Sequence, residues 1–171
     1  MIITSWNCRG MGSKKKEEVL KDILKASKAR ILLLQETKMS QQDALKTLMK
    51  VWKGSLKVVG NSRGASGGLC TMWDASKIDL LSSDICMHWI HTRFLHKDTG
   101  CQVSIFNIYA PQLLGGKKHC WEPLQAHLQQ NNLTNIIVGG DLNVTLAQEE
   151  KRGGSIVRDP AREWVEDLAS A

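Results

Sequence analysis

The sequence predicts an α/β fold in which two mixed β-sheets pack face to face with helices on the outside. Three observations predict it. Near both ends of the chain, buried apolar runs alternate with segments of helical period. Between residues 56 and 112 short β-branched and apolar runs follow one another with no helix between them, which implies antiparallel pairing. Finally, 42% hydrophobic against 23% charged residues in a chain of 171 is an ordinary soluble composition with enough apolar side chains for a real core. No compositional break divides the chain, so residues 1–171 are expected to form a single domain.

The elements read in order as follows. Residues 2–7 are an apolar strand, stopped by Gly10-Met11-Gly12-Ser13. Val19, Leu20, Ile23 and Leu24 then recur at helical spacing with lysines between them. Ile31-Leu32-Leu33-Leu34 is too continuous for a half-exposed strand and too short for a helix, so it predicts a strand covered on both faces. Ala44, Leu45, Leu48, Met49 and Trp52 form the apolar side of a second helix.

Strands are predicted at Leu56–Val59, Gly68–Trp73, Ile78–Leu81, Met87–Phe94 and Val103–Tyr109, separated by Gly, Asn, Ser and Asp. Trp121, Leu124 and Leu128 share a helical face, and residues 135–140 give another buried strand. At the end Asp159-Pro160 pairs an N-cap with a first-turn proline, with Trp164, Val165 and Leu168 apolar behind them. Six Trp against one Tyr and two Phe indicate a core built on large residues.

Composition excludes several function classes. No stretch approaches the roughly 18 apolar residues of a membrane span, and the N-terminus lacks a basic region before its apolar run, so an intracellular protein with no membrane partner is expected. The five cysteines, Cys8, Cys70, Cys86, Cys101 and Cys120, are scattered and odd in number, which predicts free, mostly buried thiols and no disulfide partner. His88 and His91 are an odd number of residues apart and so face opposite sides of a strand, which argues against zinc. Gly64-Ala65-Ser66-Gly67-Gly68 lacks nucleotide-loop spacing and precedes a strand, so it reads as a hairpin or loop.

Lys and Arg outnumber Asp and Glu by 23 to 17, a net charge of +6, which suits a polyanionic partner. The basic residues gather at Lys14-Lys15-Lys16, along Lys21, Lys25, Lys28 and Arg30, and at Lys117-Lys118 and Lys151-Arg152. A solvated helix face with loop charges explains them as well as a phosphate-tracking surface does. Nothing in the sequence sets the oligomeric state.

Four polar residues stand at the far ends of buried runs: Asn7, Glu36, Tyr109 and Asp141. Sites of open α/β sheets assemble beyond the carboxyl ends of their strands. Taken singly, Asn7 could start a turn, Glu36 could accept from a helix N-terminus, Tyr109 could edge the core, and Asp141 could form an Asx turn. Their recurrence is what argues for chemistry. Glu36 and Asp141 are oxygen ligands or bases suited to a hard divalent cation, Mg²⁺ or Mn²⁺. Asp141 and Asn143, two apart, would project the same way in an extended segment, one handling a water and the other a phosphate oxygen. Asn107 and Tyr109 share a strand face for the same reason.

Ser5-Trp6-Asn7-Cys8-Arg9-Gly10-Met11-Gly12, Leu32-Leu33-Leu34-Gln35-Glu36-Thr37-Lys38, Ser66-Gly67-Gly68-Leu69, Phe106-Asn107-Ile108-Tyr109-Ala110-Pro111 and Gly139-Gly140-Asp141-Leu142-Asn143 resemble the successive motifs of the endonuclease/exonuclease/phosphatase superfamily. The opening Trp-Asn-Cys-Arg-Gly, with Glu150-Lys151-Arg152-Gly153-Gly154, most resembles endonucleases of plant non-LTR (LINE-type) retrotransposons.

The resemblance implies a four-layer α/β sandwich and Mg²⁺-dependent hydrolysis of a phosphodiester in DNA. It implies that Glu36 binds the metal with Asn7 beside it, that Asp141 activates or orients water, that Asn143 positions water and phosphate, and that Tyr109 contacts the phosphate. Arg9 departs from the acidic residue that apurinic-site repair nucleases carry there, which points away from repair. Family members continue to further strands and a Ser-Asp-His motif, so an incomplete C-terminus and impaired cleavage are expected. Two alternatives stand beside the nuclease: a non-catalytic retroelement remnant that binds nucleic acid, and a phosphatase of small phosphoesters. A DNA substrate would make the nucleus the site of action.

Overall fold

The structure is a computed structural model that describes residues 1–60, 67–131, 133–146 and 159–170. Twelve elements are described: β1 (Ile3–Asn7), α1 (Lys14–Ser27), β2 (Ile31–Gln35), α2 (Gln41–Val51), β3 (Ser55–Gly60), β4 (Leu69–Asp74), β5 (Ile78–Ile85), β6 (Trp89–His96), β7 (Gln102–Tyr109), α3 (Leu114–Asn131), β8 (Ile136–Asp141) and α4 (Arg162–Ser170). Each stands where hydrophobic periodicity places one, but β8, expected to be buried, has Ile136 and Ile137 exposed and its other residues half-buried. Ser66, residues 64–65 and the 150–154 stretch lie outside the described residues.

Local chemistry explains the helix ends. Ser13 caps α1, its hydroxyl accepting from the Lys16 N–H, with Glu17 in the first turn. The helix stops at Lys28, a left-handed residue at φ 52° whose N–H returns to Leu24 O. Ser40 caps α2 in the same way by accepting from Asp43 N–H. α4 begins later than the Asp159-Pro160 signal suggests: residues 159–161 form a turn, with Asp159 O accepting from Arg162 N–H, and the helix runs from Arg162.

The strands form two mixed four-stranded sheets, ordered β1-β2-β4-β3 and β5-β6-β7-β8. Each contains one parallel pair, β1 with β2 and β7 with β8. The other pairs are antiparallel; β3–β4, β5–β6 and β6–β7 are the consecutive strands without intervening helices for which this is expected, whereas α2 and β3 lie between β2 and β4. The exception among strands without intervening helices is the step from β4 to β5, where the chain leaves one sheet for the other.

Strand parity divides the core into two layers. On one face of the first sheet Leu32, Leu34, Cys70 and Met72 pack against Leu20 of α1 and Ala44, Leu48 and Val51 of α2. On the other face Ile31, Leu33 and Trp73 meet Ile78, Phe94, Val103 and Ile105 of the second sheet. The continuous apolar run of β2 is explained by this double burial, since all five of its residues are buried. The fold is an α/β sandwich, as its composition and patterning predict.

By compactness the chain groups into two units. Residues 1–109 with 134–141 hold both sheets, α1 and α2, whereas residues 110–133 with 142–171 hold α3 and α4. Within the second unit Cys120, Trp121 and Leu124 of α3 are buried, and Lys117 is buried with them. Trp73, Trp89 and Trp121 are fully buried and the other three tryptophans half-buried. Among the described residues no helix is long and apolar enough to cross a membrane.

Two basic clusters lose part of the surface role that charge alone suggests. Lys16 folds back, its ammonium donating to Cys8 O at 2.7 Å and lying 5.2 Å from the Trp6 ring. Lys117 is 4% exposed and ion-paired to Asp159 at 3.1 Å, so it offers little charge to a polyanion. Lys14, Lys15, Lys21, Lys25, Lys28 and Arg30 remain exposed, and Lys151-Arg152 lies outside the described residues. The five cysteines are free: Cys8, Cys70 and Cys120 are buried, Cys86 and Cys101 exposed.

Candidate active site

Register brings the polar strand ends together. β1 and β2 run parallel with Asn7 opposite Gln35, which leaves Glu36 just past the end of its strand. β7 and β8 run parallel with Tyr109 opposite Asp141. Both parallel pairs therefore end at the same edge of the sandwich.

Asn7 is the junction. Its amide Nδ2 donates to Glu36 Oε1 at 2.8 Å and to Asp141 Oδ2 at 2.6 Å, joining residues 134 apart in sequence. Its Oδ1 accepts from the Arg9 N–H at 3.2 Å, which turns the amide so that the NH₂ faces the two carboxylates. Tyr109 completes the group, its hydroxyl donating to Glu36.

The loop carrying Glu36 is held from both sides. Gly10 and Met11 N–H donate to Glu36 O and Thr37 O at 2.7 and 3.0 Å. Thr37 and Lys38 N–H donate to Gly68 O and Gly67 O at 3.1 and 3.0 Å. Glu36 and Lys38 both have positive φ, 53° and 51°, and Arg9 sits at 47°. Left-handed non-glycine residues cost of order 1–3 kcal/mol each and persist where the surroundings over-determine them. Four backbone hydrogen bonds do so here.

Electrostatics favour a cation. Two carboxylates converge on one neutral amide, with Lys38 Nζ 3.4 Å from Glu36 Oε2 as a partial counter-charge. Burial raises the Glu36 pKa, but hydrogen bonds from Asn7, Tyr109 and Lys38 outweigh it and hold the carboxyl below its ordinary value. Tyr109 moves the other way: burial and then the Glu36 charge raise its pKa, so the phenol stays a proton donor at neutral pH.

Asn7, Glu36, Tyr109 and Asp141 thus form one cluster within the first unit. Asn143 belongs to the second unit, and its geometry corrects the expectation of an extended segment. β8 ends at Asp141, and Asn143 is left-handed at φ 48° with Nδ2 donating to Ala110 O at 2.6 Å. The spacing argument fails because Asn tolerates that conformation better than most residues. Gly140, by contrast, has no substitute: its φ is 129°, and an added Cβ would lie 2.0 Å from Ile108 O.

Two contributors escaped the sequence as site residues, Lys38 and Gln35. Lys38 carries the only charge paired to Glu36 among the described ion pairs. Gln35 is 1% exposed, and a polar residue ending a fully apolar run was the available signal.

A family model described as the endonuclease/exonuclease/phosphatase family matches residues 4–161. Similar solved structures include an AP endonuclease from Leishmania major (TM-score 0.75, 17% identity, 97% of this chain and 65% of that one). The Xenopus laevis APE2 catalytic domain aligns with TM-score 0.70 at 22% identity over 98% of this chain and 67% of that one. A mannosyl-6-phosphatase from Bacteroides thetaiotaomicron gives TM-score 0.70 at 16% identity over 86% of this chain and 67% of that one. At these identities the likeness is one of fold. The chain spans about two thirds of the length of these structures. No curated protein matches it by sequence.

Proposed function

The chain belongs to the endonuclease/exonuclease/phosphatase family, a premise from which we propose that it is a divalent-metal-dependent hydrolase of DNA phosphodiesters, of non-LTR retrotransposon origin. The observation that carries this reading is the bridge from Asn7 to both Glu36 and Asp141. It gathers two carboxylates, oxygen donors of the kind Mg²⁺ and Mn²⁺ take, with no soft ligand in the group, and the Asn7 amide that joins them presents its NH₂ rather than its oxygen. The resemblance of Trp6-Asn7-Cys8-Arg9-Gly10 and its companion motifs to plant LINE-type endonucleases supports the origin and the DNA substrate, and the exposed lysines of α1 are compatible with a backbone partner.

The residues divide the work by chemistry. Glu36, with Asn7 beside it, would hold the metal, whose charge when bound stabilises negative charge developing on the phosphate oxygens. Asp141 is the carboxylate available to orient a water and take its proton. Tyr109, protonated at neutral pH, would donate to a phosphate oxygen. A role for Asn143 in positioning water and phosphate rests on the family resemblance alone. Asn7 bridges the two acids through its short bonds to both.

Nicking of supercoiled plasmid by the purified chain in Mg²⁺, with EDTA and Glu36→Ala as controls, tests the proposal. Nicking abolished by both controls is the expected result. A folded chain that leaves plasmid intact but hydrolyses a small phosphomonoester would transfer the reading to a phosphatase. A folded chain inert to both would favour a non-catalytic remnant.

A further inference from the structure

A buried polar pair lies one step below the cluster and has no part in the chemistry so far. Gln35 of β2 is 1% exposed and Asn107 of β7 0%, each on the face its sheet turns toward the other. Gln35 Nε2 donates to Asn107 Oδ1 at 2.7 Å, across the gap between the sheets. Asn107 Nδ2 donates in turn to Cys70 O at 3.0 Å and Leu34 O at 3.2 Å, with Thr71 Oγ1 at 3.4 Å. Gln35 Nε2 also donates to Ser5 Oγ at 3.1 Å, and its Oε1 accepts from that hydroxyl at 3.4 Å. The amide orientations are forced, because two backbone carbonyls face Asn107 Nδ2 and leave only its oxygen for Gln35.

The pair is fully satisfied, so it escapes the penalty of orphaned buried amides. Its consequence is directional. The rest of the gap is filled by Leu33, Trp73, Phe94, Val103 and Ile105, whose apolar packing is favourable but sets no direction. A hydrogen bond of 2.7 Å between the sheets resists their sliding past one another. Glu36 is the residue after Gln35, and Tyr109 lies two beyond Asn107 on the same strand face. Tyr109 in turn pairs in register with Asp141. The tie therefore links the strand pair that carries Asn7 and Glu36 to the pair that carries Tyr109 and Asp141.

We propose that Gln35 and Asn107 are positioning residues: their inter-sheet hydrogen bond sets the distance between the Glu36 and Asp141 carboxylates, and with it the affinity of the cluster for a divalent cation. The proposal deepens the metal-dependent reading above and rests on it for its second half only.

The test uses the full chain with Asn107→Leu, which keeps the branched shape of the side chain, and Gln35→Met, which keeps its length, each without the amide. In the metal-free protein the Asn7 side-chain amide protons, bonded to two carboxylates, are expected to be shifted downfield and to exchange slowly. In both variants they move to the positions and exchange rates of a solvent-exposed amide, and Mn²⁺ affinity falls by about 10- to 100-fold, the range for loss of an outer-shell partner. A variant that melts at lower temperature yet keeps the Asn7 signals and the Mn²⁺ affinity overturns the proposal, leaving the pair a role in stability alone. Should Asn107→Leu fail to fold, Gln35→Met carries the test, since Asn107 retains its bonds to Cys70 and Leu34. A wild-type chain that binds no Mn²⁺ sinks the metal reading, while the Asn7 signals still decide the positioning claim.

Discussion

Gly140→Ala is the substitution whose consequence the geometry specifies most closely. Gly140 sits in β8 opposite Ile108 of β7, at φ 129°, where side chains other than glycine's are strained whatever the space around them. A Cβ built there lies 2.0 Å from Ile108 O, 2.7 Å from its N and 2.9 Å from its C, and all three are backbone atoms that cannot swing aside. Reaching even the 3.0 Å that real Cβ atoms essentially never undercut requires a local shift of about 1 Å, the difference between 3.0 and 2.0.

That shift is large against the 2.6 Å bond from Asn7 to Asp141, the next residue, and would break it. Backbone strain of about 1–3 kcal/mol, added to a lost strand pairing, puts the cost at about 3 kcal/mol or more. For a chain of this size that lowers the melting temperature by about 6–12 °C. Circular-dichroism melts with and without Mn²⁺ measure it, and under the proposed metal-binding role a rise in melting temperature with Mn²⁺ is expected in the wild type and not in the variant. Gly139→Ala is the control, because its obstacle is the flexible Leu33 Cδ1 at 2.8 Å. A Gly140→Ala protein melting within about 2 °C of wild type, less than 1 kcal/mol would produce, refutes the reasoning.

The second unit makes a pH-dependent prediction. Burial raises the Asp159 pKa, but the N–H of Ala161, the Lys117 ammonium and the N–H of Thr145 outweigh it and hold the carboxyl below its ordinary value. A depressed folded-state pKa contributes stability that is present above the unfolded value and lost as pH falls through the folded one. Urea titrations of wild type and Asp159→Asn should differ most near neutrality and converge below about pH 4, and an equal gap at pH 3 and pH 7 would rule this out. Thiol accessibility supplies another check. Burial pushes Cys8 to about 11 and Cys70 and Cys120 to about 12, whereas Cys86 and Cys101 are exposed. A thiol reagent at pH 8 should modify two cysteines in the native chain and all five in denaturant; rapid native modification of a third would contradict the burial of that core.

Much of this protein is legible along the chain. Every described element announces itself by a period of two or of 3.6, or by an unbroken apolar run such as Ile31–Leu34, because these patterns come from which face of a local backbone meets the core. The ends of those runs also mark Asn7, Glu36, Tyr109 and Asp141, since a polar residue closing an apolar run is visible without knowing its neighbours, although of the four strands β2 and β7 are buried and β1 and β8 are not. Other features resisted the same reading. Lys16 and Lys117 look like surface charge, yet one lies against Trp6 and the other is buried on Asp159. Asn143 looks extended and is left-handed.

Periodicity determined the elements, the two-layer core and the strand-end acids, for these depend on contacts that repeat within a few residues. Tertiary structure alone decided that Asn7 would hold Glu36 and Asp141 together and that Gln35 would meet Asn107 across the sheets. Those bonds join residues 29 to 134 positions apart, and their length depends on sheet register and the angle of each strand end, which no local pattern encodes.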